Sequence, residues 1–102
     1  MATKARKKVT FTRWDAADHL KTEEAQAEYV KACLEEAPDD AALIADALGT
    51  VARARGMVKL SRETGLTRQA LYKALSKEGN PSLDTVLKVL KALGLRFTAE
   101  AT

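Results

Sequence analysis

Apolar residues recur along this chain at intervals of three and four positions, which is the pattern of amphipathic helices. Three stripes stand out: Tyr29, Val30, Cys33 and Leu34; Leu43, Ile44, Ala47, Leu48 and Val51; and Leu83, Val86, Leu87, Leu90 and Leu93. Residues that can cap a helix precede them, namely Thr22, Asp39 or Asp40, and Ser82. Proline or glycine follows them, at Pro38, Gly56 and Gly94. The pattern predicts three helices, over about residues 22–37, 40–55 and 82–93.

Two shorter helices are predicted between the second and third stripes, over residues 57–64 and 67–76. Near the two ends of the sequence, Val9–Thr12 and Leu95–Ala99 alternate apolar and polar residues, so each could form a short strand. Gly49 lies inside the second stripe, where glycine costs helix stability. We therefore expect another part of the chain to pack closely against Gly49.

Composition supports a helical protein. A length of 102 residues suits one domain, and the apolar set is dominated by Ala and Leu, with only 5% aromatic residues. Upstream of the first long helix, Asp15 can cap a turn of helix that runs to Leu20. The expected fold class is therefore all-α, with five helices, an N-terminal helical extension and at most short terminal strands.

Residues 60–76 have the layout of a helix-turn-helix. Leu60 and Leu71 are spaced to meet between the two helices, and Gly65 supplies the positive φ that a short turn requires. Thr67 then caps the second helix. The agreement of core, turn and cap predicts a DNA-binding motif. The alternative is a helical hairpin whose polar residues only face solvent.

The side chains expected to stay exposed on the second helix suit the major groove of DNA. Arg pairs with guanine and Gln with adenine through two hydrogen bonds each, so Arg68 and Gln69 are the predicted base-reading residues. Tyr72 and Lys73 can reach phosphates. The predicted DNA-binding residues are Thr67, Arg68, Gln69, Tyr72, Lys73 and Ser76.

Charge is distributed unevenly, although the net charge is only +3. Residues 1–13 form a basic tail with five bases and no acid, whereas residues 14–50 carry ten acids and two bases. Residues 51–102 carry ten bases and four acids, which suits phosphate contacts. We divide the chain into the tail, acidic helices over residues 14–38 and a DNA-binding domain over residues 39–102. The tail could contact DNA or only aid solubility.

The sequence resembles Xre-type, phage-repressor-like DNA-binding domains over Thr64–Tyr72 (TGLTRQALY) and Gly79–Gly94 (GNPSLDTVLKVLKALG). With Trp14–Thr22 (WDAADHLKT) and Ile44–Gly56 (IADALGTVARARG), it is similar to a narrower group, the prophage-associated addiction-module antidote proteins often called HigA-like. The resemblance spans about residues 12–97. The helix-turn-helix part is shared by many repressors, and the upstream part favours the antidote proteins.

The resemblance implies a bacterial type II antitoxin that silences a small basic toxin, commonly a RelE/HigB-like mRNA endonuclease, and represses its own operon as a homodimer on operator DNA. Two departures from the family pattern, Ser61 for the usual Ala and Ala74 for a bulkier residue, leave the docking angle on DNA open. A basic toxin would meet the acidic helices. The candidate toxin-binding residues are Trp14, Glu23, Glu24, Glu28, Glu35 and Glu36.

Two alternatives remain open at this point. The chain could be a prophage repressor without a toxin, or an interaction module that has lost DNA binding and only blocks a toxin. Trp14 and Phe11 could anchor an interface or cover the helical core. Dimer contacts are expected in the final helix and in Leu95–Ala99.

Other chemistry is not indicated. Cys33, the single cysteine, lies on an apolar stripe and is predicted to be a small buried hydrophobe in a reducing cytoplasm. His19 has no companions at metal-ligand spacing, so no metal is expected. We find no nucleophile motif, phosphate loop or supported carboxylate pair, so we expect neither an enzyme nor a cofactor. The basic N-terminal tail precedes no apolar stretch, so no signal peptide or membrane partner is expected.

Overall fold

The computed structural model describes residues 20–102, which contain five helices and no strand. These helices are α1 (Glu23–Glu36), α2 (Ala41–Arg55), α3 (Met57–Thr64), α4 (Arg68–Ala74) and α5 (Leu83–Ala92). The predicted all-α fold class is confirmed. Some predictions concern residues that lie outside this range. They are the strand at Val9–Thr12 and the roles given to Trp14 and His19. The predicted helical turn from Asp15 to Leu20 also lies outside it, except for Leu20, which is the first described residue.

Side-chain caps fix where four of the five helices in residues 20–102 begin. The side chains of Thr22, Asp40, Thr67 and Ser82 each accept a hydrogen bond from a backbone N–H three residues later, at 3.0–3.1 Å. These bonds satisfy amide groups that have no partner inside the helix. The predicted caps are therefore confirmed, with Asp40 rather than Asp39 beginning α2.

The expected strand at Leu95–Ala99 is wrong, because the start of this segment takes part in the C-terminal end of α5. Gly94 has φ of 74°, and its N–H donates to the carbonyl oxygen of Lys91 at 3.1 Å. The N–H of Leu95 donates to the carbonyl oxygen of Leu90 at 2.8 Å. This pair of bonds is the Schellman arrangement. It consumes the first backbone donor of the segment, and residues 20–102 offer no neighbouring strand for the others.

The hydrophobic core lies where α2, α3, α4 and α5 meet, and α1 packs mainly on α2. The largest side chains that are fully buried come from these four helices and from the residue that directly follows α4: Leu48, Leu60, Leu71, Leu75, Val51 and Val89. Gly49 of α2 is also buried, and a Cβ there would overlap the backbone carbonyl oxygen of Leu75. The expected close packing at Gly49 is confirmed, and it brings α2 against the end of α4.

The apolar stripe predicted for α5 is wrong in part. The helix buries Val89, Leu90 and Leu93, whereas Leu83 and Leu87 are 65% and 46% exposed. In a helix of 3.6 residues per turn, these two leucines point roughly a quarter turn away from the buried direction. The prediction from periodicity therefore treated two adjacent faces of α5 as one face. Leu83 and Leu87 form an apolar edge that remains on the surface.

Candidate nucleic-acid interface and acidic face

A tight turn joins α3 to α4. Only three residues, 65–67, separate the two helices. Gly65 adopts the left-handed conformation with φ of 77° and ψ of 8°, and its N–H donates to the carbonyl oxygen of Ser61 at 2.9 Å. A residue with a Cβ is strained in this conformation, which explains why glycine occupies the position.

Side-chain hydrogen bonds hold this turn in addition to the backbone. The hydroxyl of Ser61 donates to the carbonyl oxygen of Leu66. The hydroxyl of Thr64 donates to the carbonyl oxygen of Leu60 at 2.8 Å and accepts from the N–H of Leu66 at 3.2 Å. Ser61, which the sequence presented only as a departure from the usual Ala, therefore also stabilises the turn. The sequence did contain a signal for this role, namely a hydroxyl group at a position where the resemblance expects Ala.

The second helix of this pair presents its polar side to solvent. Leu71 is fully buried and fixes the orientation of α4, so Arg68, Gln69 and Lys73 are exposed and Tyr72 is 49% exposed. Thr67 is exposed as well, with its hydroxyl engaged as the cap of α4. These five predicted residues are brought together on and beside one short helix.

Ser76 lies apart from the other predicted residues because α4 ends at Ala74, earlier than predicted. Ser76 is half-buried, and its hydroxyl donates to the carbonyl oxygen of Lys73 at 3.0 Å. Gly79 closes the same helix end, because a Cβ at this position would overlap the carbonyl oxygens of Lys73 and Ala74. The segment after α4 therefore packs tightly against the C-terminal end of this helix, and Ser76 and Gly79 both contact that end.

The surface around α4 is locally basic. Residues 57–77 carry five basic side chains and one acidic side chain, all exposed. Besides Arg68 and Lys73, the bases are Lys59 and Arg62 on α3 and Lys77 after α4. The sequence interpretation left out these three residues, although their polar positions on and beside the motif were a usable signal.

The acidic residues predicted on α1 are exposed: Glu23, Glu24, Glu28, Glu35 and Glu36. Helical geometry places Glu24, Glu28 and Glu35 within about 40° of one another, on the side that faces away from the core. Glu23 and Glu36 lie on either side of this line. The helix therefore presents a largely acidic face, and Lys31, the basic residue of α1, lies within it between Glu28 and Glu35.

A polar network that sequence reasoning missed ties α1 to the rest of the protein. Gln26, which is buried, donates its amide to the carbonyl oxygen of Leu20 at 3.1 Å. Its amide oxygen accepts from Nε and Nη2 of Arg55 at 3.1 and 2.7 Å. Arg55 also donates to the carbonyl oxygen of Leu93 at the end of α5, at 3.2 Å. One guanidinium group thus connects α1, α2 and α5.

The half-buried Cys33 has the character of a structural residue. Burial raises the pKa of its thiol above the usual value, and the carboxylates of Glu36 and Asp46 raise it further. Burial likewise raises the pKa of the neighbouring Tyr29. A raised pKa keeps the thiol protonated at neutral pH and therefore weakly nucleophilic. This supports the interpretation of Cys33 as a small hydrophobe.

Two further features bear on the class of protein. In the part that the structure describes, no group of three His, Cys, Asp or Glu side chains is arranged to hold a metal ion. Within the same range, every helix is too short or too polar to cross a membrane. Residues 20–102 thus define a small all-helical protein with an exposed basic helix after a tight turn and a separate acidic helix.

Comparison with known proteins gives the family. Residues 10–101 match the family described as probable addiction module antidote protein, and the chain belongs to this family. It is also 47% identical over 87 residues to an uncharacterized protein of Haemophilus influenzae Rd, across 85% of this chain and 88% of the relative. No solved structure matches the chain.

Proposed function

We propose that this protein is the antitoxin of a type II toxin–antitoxin module in the bacterial cytoplasm. It binds and neutralises a small basic RelE/HigB-like mRNA endonuclease, and it represses its own operon by binding operator DNA as a homodimer. Membership of the antidote family supports the antitoxin role. The observation that carries the DNA-binding half is the exposed polar side of α4, whose orientation the buried Leu71 fixes.

The chemistry of α4 and its neighbours supports operator recognition. Arg68 and Gln69 lie at the start of the helix and carry the two side chains best suited to guanine and adenine. Lys73 and Tyr72 follow on the exposed side, where they can contact the phosphate backbone. Lys59, Arg62 and similar neighbouring bases add attraction that is independent of sequence.

Replacing Arg68 or Gln69 with Ala is expected to cost about 1–3 kcal/mol of binding to the protein's own promoter and to relax its sequence preference. Each side chain would lose two hydrogen bonds to one base. Gel shifts with the promoter fragment and with random DNA of equal length measure both effects. Lys73→Ala should weaken both DNAs alike and lower the salt slope by about one.

Arg96→Ala is the matched control, because Arg96 is an exposed arginine on the C-terminal segment rather than on the α3–α4 pair. It should leave promoter affinity unchanged. Equal losses on promoter and random DNA for Arg68→Ala would refute the base-reading role.

The acidic face of α1 supports the toxin-binding half of the proposal. Opposite charges across an interface speed association and favour the correct partner. Glu24, Glu28 and Glu35 share one side of a helix that lies apart from α4 in the chain and packs mainly on α2, with Lys31 between Glu28 and Glu35. In this account residues 14–38 serve toxin binding and residues 39–102 serve DNA binding.

The homodimer is proposed to form through α5. Leu83 and Leu87 leave an exposed apolar edge one turn apart on this helix, and such an edge favours burial against a second copy. Two recognition helices would then read half-sites about 34–36 Å apart. The Leu83→Ser/Leu87→Ser double variant should sediment as a monomer, and a dimer of this variant would exclude the edge.

A further inference from the structure

A groove of about 750 Å³ runs beside α1, between this helix, α2 and the C-terminal segment. Its lining is largely apolar. The aliphatic side chains come from α1, α2, α5 and the C-terminal segment: Val30, Leu34, Ile44, Leu48, Leu90 and Leu95. Phe97 lines the groove and remains 47% exposed. An exposed aromatic ring beside an open apolar floor is the kind of surface that receives an anchoring side chain from a partner.

The charges around the groove select the kind of partner. The α1 side of the rim carries Lys31 and Glu35, and Glu28 and Glu24 lie on the adjoining face of the helix, outside the groove. Residues 23–40 as a whole contain seven carboxylates and one ammonium group. On the opposite wall Arg96 and Glu100 balance each other. The charges that line the groove therefore balance, whereas the α1 surface beside it is acidic and complements a cationic partner.

We propose that this groove is the docking site for a basic, amphipathic segment of the toxin. An apolar side chain of that segment enters the groove beside Phe97, and neighbouring Lys or Arg side chains pair with Glu28 and Glu35. The inference rests on the proposed antitoxin function and adds to it the place where the partner binds. It adds an apolar anchor site beside the acidic face of α1.

The same charges argue against a second copy of this chain as the occupant. A two-fold symmetric contact over the groove would place the acidic residues 23–40 of both copies at one interface. Like charges at such short distances oppose association, whereas a basic segment gains from them. The exposed leucines of α5 offer a second copy an uncharged edge on a different helix.

The test measures the affinity of the full-length chain for the purified, catalytically inactive product of the adjacent small reading frame, by titration calorimetry at two salt concentrations. Phe97→Ser and, separately, Glu28→Lys with Glu35→Lys are each expected to weaken binding about tenfold or more. Val58→Ser and Glu63→Lys are the matched controls, since both side chains are exposed on α3. They should change affinity less than about twofold.

The altered residues are at least partly exposed, so the variants are expected to fold, and an unchanged thermal unfolding transition verifies this for each of them. The Glu28→Lys/Glu35→Lys variant should also lose most of the salt dependence of association. Wild-type affinity in both groove variants would overturn the groove while leaving the antitoxin function intact. Absence of binding by the wild-type chain would overturn both.

Two results in the free chain would assign the groove to another occupant and overturn the proposal. The first is conversion of a dimer to a monomer by Phe97→Ser in sedimentation, which would mean that a second copy fills the groove. The second is a red shift of fluorescence from Trp14, the single tryptophan, caused by Phe97→Ser. That shift would mean that the N-terminal part of the same chain fills it.

Discussion

Leu71→Ala is expected to lower the free energy of unfolding by about 2–5 kcal/mol, which is a large part of the stability of a domain of this size. Leu71 is fully buried, as is Leu60 on the partner helix of the turn. Removing three carbon atoms there leaves a cavity between helices whose approach is already fixed by the short turn. Urea and thermal unfolding measure the loss, with about 4–8 °C in Tm for each kcal/mol.

Val58→Ala is the matched control for this substitution. Val58 lies on α3 and is 55% exposed, so its truncation removes apolar contacts from the surface rather than the core. It should change stability by no more than about 0.5 kcal/mol. A loss below about 1 kcal/mol for Leu71→Ala would mean that α4 is not seated on the core through this residue. The exposed side assigned to α4 would then be wrong as well.

Gln26→Leu is expected to destabilise the protein by about 2–3 kcal/mol, although leucine has a similar size and is more apolar. The substitution leaves the carbonyl oxygen of Leu20 without its donor and removes the acceptor that binds Nε and Nη2 of Arg55. The partly buried guanidinium group of Arg55 would lose its bonds to Gln26 and retain the bond to the carbonyl oxygen of Leu93. Denaturant unfolding measures the change.

Gln69→Leu is the control, because Gln69 is exposed on α4 and no network surrounds it. It should alter stability by no more than about 0.5 kcal/mol. Combining Gln26→Leu with Arg55→Met should cost less than the sum of the two single changes, since each removes the same interaction. Strict additivity would show that the two side chains do not depend on each other.

Much of the fold could be predicted from sequence because its signals are local. Thr22, Thr67 and Ser82 cap the helices that follow them, and each needs only an amide three residues away. The burial of Leu71 followed from its spacing to Leu60 and from the turn at Gly65. The exposed polar side of α4 was therefore predictable before any contact was known.

The parts that could not be predicted depend on long-range contacts. The bond between Gln26 and Arg55 joins residues 29 positions apart, and no periodic pattern indicates it. Which of two adjacent faces α5 buries depends on the angle at which it meets α3, so Leu83 and Leu87 were misassigned. The alternation after Gly94 gave a false strand because it cannot reveal whether a partner strand exists.

The candidate site shows the same division. Exposure of the α4 side chains and of the α1 carboxylates followed from their helical positions. The groove beside Phe97 did not, because its walls come from α1, α2 and residues after α5. The identity of the bases and of the toxin surface depends on partners, whose sequences are separate from this one.

The central claim, that one chain both binds a toxin and represses its own promoter, is tested most directly by co-expression. The chain is produced with the product of its adjacent small reading frame, purified through a tag on that product and mixed with the promoter fragment. The account predicts a stable complex that shifts the promoter but not random DNA. A promoter shift by the chain without any co-purified partner would contradict it and indicate a repressor without a toxin. A complex that leaves the promoter unshifted, with no shift by the chain alone, would contradict the DNA-binding half.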